Sequence, residues 1–410
     1  MDKHPDALAI VQTITHHGFL AYYAGGWVRD FLLNHPSDDI DIATNAPPEI
    51  IQSLFPRTVP IGLAFGIILV VTENHQYEVA TFRQDFDYKD GRRPSKIAFS
   101  TAEEDAKRRD FTINGMFYDP INNKLLDYVE GQKDLKAKII RAIGDPHQRI
   151  QEDRLRMVRA LRLSCRFHFT IEAATEKAIR AHARELFPFV AIERIVQELT
   201  KALKTNSLPC MLIQLHAFDL LANIFPSLEN ITFDEVKKRT APLTLYPRKA
   251  PLIAHLLALF PNLALIDQLE LCKKLKVSKA DQEFVSFLFA IRELSCIENA
   301  ELFDWAKVYA NPSSELALKI VNAELTDDKR EVFTQEHKAR RTLLQKSIQR
   351  IQDQDPVVTS KDLLKAGIPP SRTLGLLLTA AEKIAINEQI EDPNTIIERL
   401  KQLPLWPKHP

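Results

Sequence analysis

The chain has 410 residues, 45% of them apolar and 26% charged, and its 54 basic side chains balance 54 acidic ones to a formal net charge of zero. That length exceeds one ordinary core and predicts two to four domains, while neutrality excludes a polycationic tail but leaves room for a local basic face. The four cysteines (Cys165, Cys210, Cys272, Cys296) are far apart with no CxxC pair, so buried free thiols in a reducing cytoplasm are expected and structural zinc is not. No charged-then-apolar leader opens the chain, and runs such as IILVV are far too short to span a bilayer, which predicts a cytoplasmic protein with no membrane association.

In chain order, the first segment of consequence is FLAYYAGGWVRDFLL, an apolar strand running into Gly25 and Gly26 and then into a helix beginning near Trp27. Adjacent glycines let the backbone approach an anion closely, and a helix start presents free amides to it. Arg29 adds a charge-assisted donor, which makes Gly25, Gly26 and Arg29 candidate phosphate-binding residues. Next comes DDIDIAT, with Asp38, Asp39 and Asp41 in a segment whose Ile40, Ile42 and Thr44 favour a strand. Strand side chains alternate between faces, so Asp39 and Asp41 stand side by side, opposite Ile40 and Ile42. Their repulsion calls for a divalent cation with oxygen ligands, typically Mg2+. Two such ions, one activating a hydroxyl and one holding a triphosphate, suit an in-line displacement over these aspartates. Glu78 in QYEVATFR is a candidate third catalytic carboxylate, or else a water-facing glutamate on an edge strand.

DFDYKDGRRP, residues 85–94, is polar, carries Gly91 and Pro94, and is expected to be a mobile loop. KRRDFTIN sets Arg108, Arg109, Asp110 and Asn114 at a predicted helix start, where Asp110 suits an N-cap and shares a face with Asn114. Nine of the 11 glycines lie between Gly18 and Gly144 and the next is Gly367, so the alternation of strands and helices gives way to helices near residue 145. EDRLRMVRALRLSCRF, AIERIVQELTKALK and RTLGLLLTAAEKIAI all carry apolar residues at helical spacing. On the first of these, Asp153 and Arg156 share a face, and Arg159 and Arg162 continue at the same interval.

Together AGGWVRD, DDIDIAT, YEVATFRQDFDYKDGRRP, KRRDFTINGM and QEDRLRMVRALR resemble the class II tRNA nucleotidyltransferases, the CCA-adding enzymes and related poly(A) polymerases of the polymerase β-like superfamily. The resemblance is close over residues 20–165 and continues more faintly through AIERIVQELTKAL, HAFDLLANIFPSL and LLKAGIPPSRTLGLLL. It implies an α+β fold: a nucleotidyltransferase α/β head (1–145), then an all-α region of neck with nucleotide-recognition motif (146–205), body (206–330) and tRNA-binding tail (331–410). The implied activity is template-independent addition of CCA to the tRNA 3′ end from CTP and ATP, with Asp39 and Asp41 as Mg2+ ligands and no protein partner.

Cytosine and adenine both present an exocyclic amine beside an unprotonated ring nitrogen, whereas uracil and guanine present a carbonyl beside an N–H. An acceptor at Asp153 next to a donor at Arg156 fits the first two, and each buried group left unpaired by the others costs about 1–3 kcal/mol. In the family these positions act as the amino-acid template. The resemblance further implies that Arg156, Arg159 and Arg162 donate to the nucleotide and its phosphates, and that the KRRDFTIN motif, with Arg109, Asp110 and Asn114, serves the sugar. It also implies that residues 85–94 switch the pocket from C to A. The full length of that loop favours complete CCA synthesis. A poly(A) polymerase or A-adding enzyme is the alternative, disfavoured because IGLAFG (61–66) stands where those relatives carry a GRRF-like stretch; a non-catalytic RNA-binding relative is a second. The basic runs KKLKVSK (273–279) and KARRTLLQKSIQR (338–350) are candidate tRNA contacts or simply solvated helix faces.

Overall fold

The computed structural model describes residues 4–35, 37, 39–88 and 94–407, and the chain divides into two compact units, 1–237 and 238–410. The first unit opens with α1 (Pro5–His16), β1 (Ala21–Ala24), α2 (Gly26–Leu32), β2 (Asp41–Thr44), α3 (Pro48–Leu54), β3 (Thr58–Gly62), β4 (Ile67–Val71) and β5 (Gln76–Thr81). It continues with β6 (Arg83–Tyr88), β7 (Pro94–Phe99), α4 (Ala102–Lys107), β8 (Phe117–Asp119), β9 (Lys124–Leu126), α5 (Gly131–Ala137) and β10 (Ile139–Ile140). Seven strands form one mixed sheet in the order β3-β4-β5-β2-β1-β8-β9. Its pairs are antiparallel except β2 with β5, which run parallel with Ile42 opposite Val79.

The period-two pattern decides which face is covered. Ile68 and Val70 of β4, Tyr77 and Val79 of β5, and Ile42 of β2 are buried, while Glu78 and Asp41 are exposed. Phe82, Phe117, Ala24 and Ala43 cluster with Ala102 and Ala106, which dock α4. The described ends of the expected loop at 85–94 are strand: β6 and β7 pair antiparallel from Arg83–Phe99 to Tyr88–Pro94, and residues 89–93, with Gly91, lie outside the described residues. The charge of Asp85 does not disqualify it from the strand, because Arg83 reaches it at 2.9 Å and Arg108 at 3.5 Å.

The helices that follow are α6 (Pro146–Glu152), α7 (Leu155–Phe167), α8 (Ala173–His182), α9 (Ile192–Lys204) and α10 (Leu208–Ala217). Asp145 caps α6 by accepting from the Gln148 N–H at 2.8 Å, with Pro146 in its first turn. The single helix expected through EDRLR is interrupted. Asp153 is extended (φ −150°, ψ 103°), and its side chain accepts from the Leu155 N–H at 3.1 Å, a local bond that competes with helix continuation. One short strand, β11 (Thr170–Ile171), falls in the region expected to be all-helical and pairs parallel to β10.

Cys165 of α7 and Cys210 of α10 are joined as a disulfide with Cα atoms 5.7 Å apart, so the free-thiol expectation fails for both. Their separation of 45 residues hid that the two helices pack together. Cys272 is free and buried as expected, whereas Cys296 is exposed.

The second unit is helical, with a core that includes Val358, Leu363, Leu377, Ala381, Ile396 and Leu400. Among the described residues no helix is long and apolar enough to cross a membrane.

Candidate active site

The turn from β1 into α2 requires its first glycine. Gly25 has φ +68°, and a Cβ there would meet Arg109 Nη1 at 3.1 Å and Asp41 Oδ2 at 3.5 Å. This close approach packs the turn against the start of β2, where Ile40 and Ile42 are buried and Asp39 and Asp41 face outward as the alternation predicts. Asp38 lies outside the described residues.

A cavity of about 680 Å³ opens here, lined by Gly25, Gly26, Arg29, Asp39, Asp41, Arg109, Asp110, Asn114, Asp153, Arg156, Arg159 and Arg162. These are the residues singled out from sequence, with one exception. Glu78 does not line the cavity. It sits on β5, an interior strand rather than an edge, beside Asp41 by the β2–β5 register. Its charge still reaches the site. The Asp41 carboxyl is pushed up to about 6, first by lost hydration and then by Asp39 and Glu78, against the opposing pull of Arg109 and Lys201. Among the described residues no three His, Cys, Asp or Glu side chains are grouped to hold a metal ion. Two carboxylates whose repulsion is only partly relieved do fit a hard divalent cation whose remaining ligands are phosphate oxygens and water.

A chain of buried polar contacts builds the wall. Arg29 is committed to Asp30, through Nε at 2.9 Å and Nη2 at 2.8 Å, and to Asn114 Oδ1 at 2.5 Å. Asn114 in turn donates to Asp110 Oδ1 at 3.0 Å, and Asp110 Oδ2 accepts from Arg159 Nε at 2.8 Å. Arg162 donates to Glu198 of α9 at 2.5 Å, and Arg166 pairs with Asp30 at 2.9 Å. Thr112–Asn114 is a single 3-10 turn rather than the start of the expected helix, and Asp110 accepts from the Phe111 N–H at 2.8 Å. Arg109 is held by Asp105 at 3.0 Å and lies over the Phe117 ring.

Asp153 and Arg156 both line the cavity, each anchored by a different partner. Arg194 of α9 forks onto Asp153, and Arg156 donates to Glu152 at 2.7 Å and to the Arg149 and Arg108 carbonyls at 2.8 and 3.2 Å. Arg166, Arg194 and Lys201 also line the cavity and were missed in the sequence, as was Glu198 behind them. The available signal was the Arg194–Glu198 spacing on α9, which puts both on one face. In the second unit a separate cavity of about 740 Å³ is lined by Tyr309, Phe333, His337, Lys338 and Arg341 among others, and Lys338 and Arg341 belong to the basic run at 338–350.

Residues 21–141 match the family described as Poly A polymerase head domain, and residues 168–232 the one described as probable RNA and SrmB-binding site of polymerase A. A CCA-adding enzyme of Staphylococcus saprophyticus is 45% identical over 196 residues, 48% of this chain and 49% of the relative, so the match spans about half the relative's length. A CCA-adding enzyme of Pediococcus pentosaceus is 31% identical over 397 residues, 94% of each chain. The crystal structure of the Bacillus stearothermophilus CCA-adding enzyme in complex with CTP is similar with a TM-score of 0.79 and 27% identity, over 97% of this chain and 98% of that one. With a relative matched along nearly its whole length and a shared fold, the chain belongs to the family of CCA-adding enzymes.

Proposed function

We propose that this protein adds CCA to the 3′ end of tRNA from CTP and ATP, in the cavity over Asp39 and Asp41. The observation that carries the reading is the convergence on one cavity of the Gly25 turn and the Asp39–Asp41 pair with the Asp153–Arg156 pair from a distant part of the chain. Asp39 and Asp41 would hold Mg2+, which supplies Lewis-acid neutralisation of the phosphate charge. The backbone at Gly25 and Gly26 lets the triphosphate approach, and Arg109 and Lys201 add positive charge at the cavity wall. Glu78 acts as a third carboxylate from the neighbouring strand.

Asp153 accepts from the exocyclic amine of cytosine or adenine, and Arg156 donates to the adjacent ring nitrogen. Three of the five guanidinium N–H groups of Arg156 go to Glu152, Arg149 and Arg108, which leaves two for a base. Asp110 and Asn114 form the sugar side of the pocket, with Arg159 and Arg162 behind them. The basic runs at 273–279 and 338–350 contact tRNA phosphates, which carry most of the non-specific affinity.

The reading is tested by incubating the protein with tRNA lacking CCA, tRNA ending in CC and a generic oligoribonucleotide, each with CTP, ATP or both. Stops at CC with CTP alone, completion with both, and a single A on tRNA ending in CC are expected. Runs of A on the generic oligonucleotide would indicate a poly(A) polymerase, and no extension of any RNA a non-catalytic relative.

A further inference from the structure

Reading a base edge with one acceptor and one donor has a weakness. Uracil offers the same two groups in swapped order, a carbonyl where cytosine has its amine and an N–H where cytosine has a bare nitrogen. A carboxylate and a guanidinium free to exchange places would satisfy uracil nearly as well. Discrimination therefore depends on how rigidly each is held.

Asp153 lies between α6 and α7: its N–H bonds the Arg149 carbonyl and its own carbonyl accepts from the Arg156 N–H, which hold its backbone but leave the carboxylate to its side-chain partners. Its plane is set by Arg194, whose Nη1 donates to Oδ1 at 3.0 Å and Nη2 to Oδ2 at 2.7 Å, while Oδ1 also accepts from the Leu155 N–H. A forked guanidinium–carboxylate pair constrains orientation as well as position. Oδ2 takes one of these bonds and keeps a second lone pair for a ligand. Arg194 itself comes from a well-anchored helix: Ile195, Leu199 and Ala202 of α9 are fully buried, and Glu198, one turn on, grips Arg162.

We propose that Arg194 is a specificity-determining positioning residue, which locks Asp153 as a fixed acceptor opposite the exocyclic position of the incoming base and so excludes UTP and GTP. The proposal rests on the reading of Asp153 as the base acceptor. Without Arg194, Asp153 can swing to accept from the ring N–H of uracil or guanine.

The test is single-nucleotide extension, scoring CTP against UTP on tRNA lacking CCA and ATP against GTP on tRNA ending in CC. It compares the wild type with Arg194→Ala, Arg194→Lys, Asp153→Ala and the Asp153→Ala/Arg194→Ala double variant. A ratio of two substrates on one enzyme preparation does not depend on the amount of active protein, so a merely structural loss leaves it unmoved. Arg194→Ala is expected to lower the CTP:UTP ratio by roughly tenfold or more. Arg194→Lys, which keeps the charge but not the fork, falls between and covers the case of a poorly folded alanine variant. In the Asp153→Ala background, removing Arg194 changes the ratio by less than about twofold, because Arg194 acts only through Asp153. If Asp153→Ala relaxes selection and neither Arg194 variant does, the role of Arg194 is overturned. If Asp153→Ala itself leaves selection intact, it is the reading of Asp153 that fails.

Discussion

The Nε–H of Arg159 donates to Asp110 Oδ2 across 2.8 Å, tying α7 to the turn that follows α4. Burial alone would raise the pKa of Asp110, but the charges of Arg159 and Arg156 and the Asn114 amide outweigh it and hold the carboxyl well below the usual range. A depressed folded-state pKa means that the ionised form stabilises the fold at any pH above the unfolded value near 3.9, and that this contribution fades as pH falls further. Asp110→Asn, which removes the nearer of two carboxylates facing Arg159 and leaves Glu198 at 3.7 Å, is expected to cost about 2 kcal/mol at pH 7. Urea denaturation should show the gap between variant and wild type narrowing below pH about 4. A gap of constant size across that range would contradict the pairing.

Asp41 shows the opposite sign. Its carboxyl, raised to about 6, is destabilising when ionised, so the penalty is absent below the unfolded value near 3.9, builds as pH rises from there to about 6 and is constant above. Asp41→Asn in chelator is therefore expected to be more stable than the wild type above pH 6, by about 1 kcal/mol because the exposed side chain is screened by solvent, and equal to it near pH 4. Thermal melts at the two pH values test this; a variant less stable at pH 8 would show that Asp41 carries no unrelieved repulsion.

The hairpin of β6 and β7 is linked to Arg156 through one residue, Arg108. Asp85 reaches the Arg108 side chain at 3.5 Å, and the Arg108 carbonyl accepts from Arg156 Nη2 at 3.2 Å. If the hairpin resets the pocket for the larger base, Asp85→Ala should slow A addition to tRNA ending in CC on the order of tenfold and C addition much less, as gating elements do. Separate rate measurements for the two steps check it, and equal losses would point to a purely structural hairpin.

Gly25, Gly26, Asp39 and Asp41 were legible in the sequence because their types are chemically improbable elsewhere: paired aspartates in a strand and glycines before a helix have few structural uses. What was not legible came from other parts of the chain. Arg194 and Glu198 read as an ordinary amphipathic helix, and only the packing of α9 against α7 turns them toward Asp153 and Arg162. The helix break at Asp153 was hidden because apolar residues at Ile150, Leu155 and Val158 continue on both sides of it, while the Asp153 side chain bonds the backbone locally. The strand at 85–88 was hidden by its aspartates, of which Asp85 is balanced by Arg83 and Arg108. The Cys165–Cys210 bond likewise depended on which helices became neighbours.

That one cavity performs both transfers is tested most directly by substituting Asp39 and Asp41 separately with alanine. Single-turnover extension would then be measured for CTP on tRNA lacking CCA and for ATP on tRNA ending in CC. Both substitutions are expected to reduce both reactions by roughly three orders of magnitude or more, with circular dichroism unchanged. Near-normal transfer of either nucleotide by either variant would contradict the assignment of the reaction to this site.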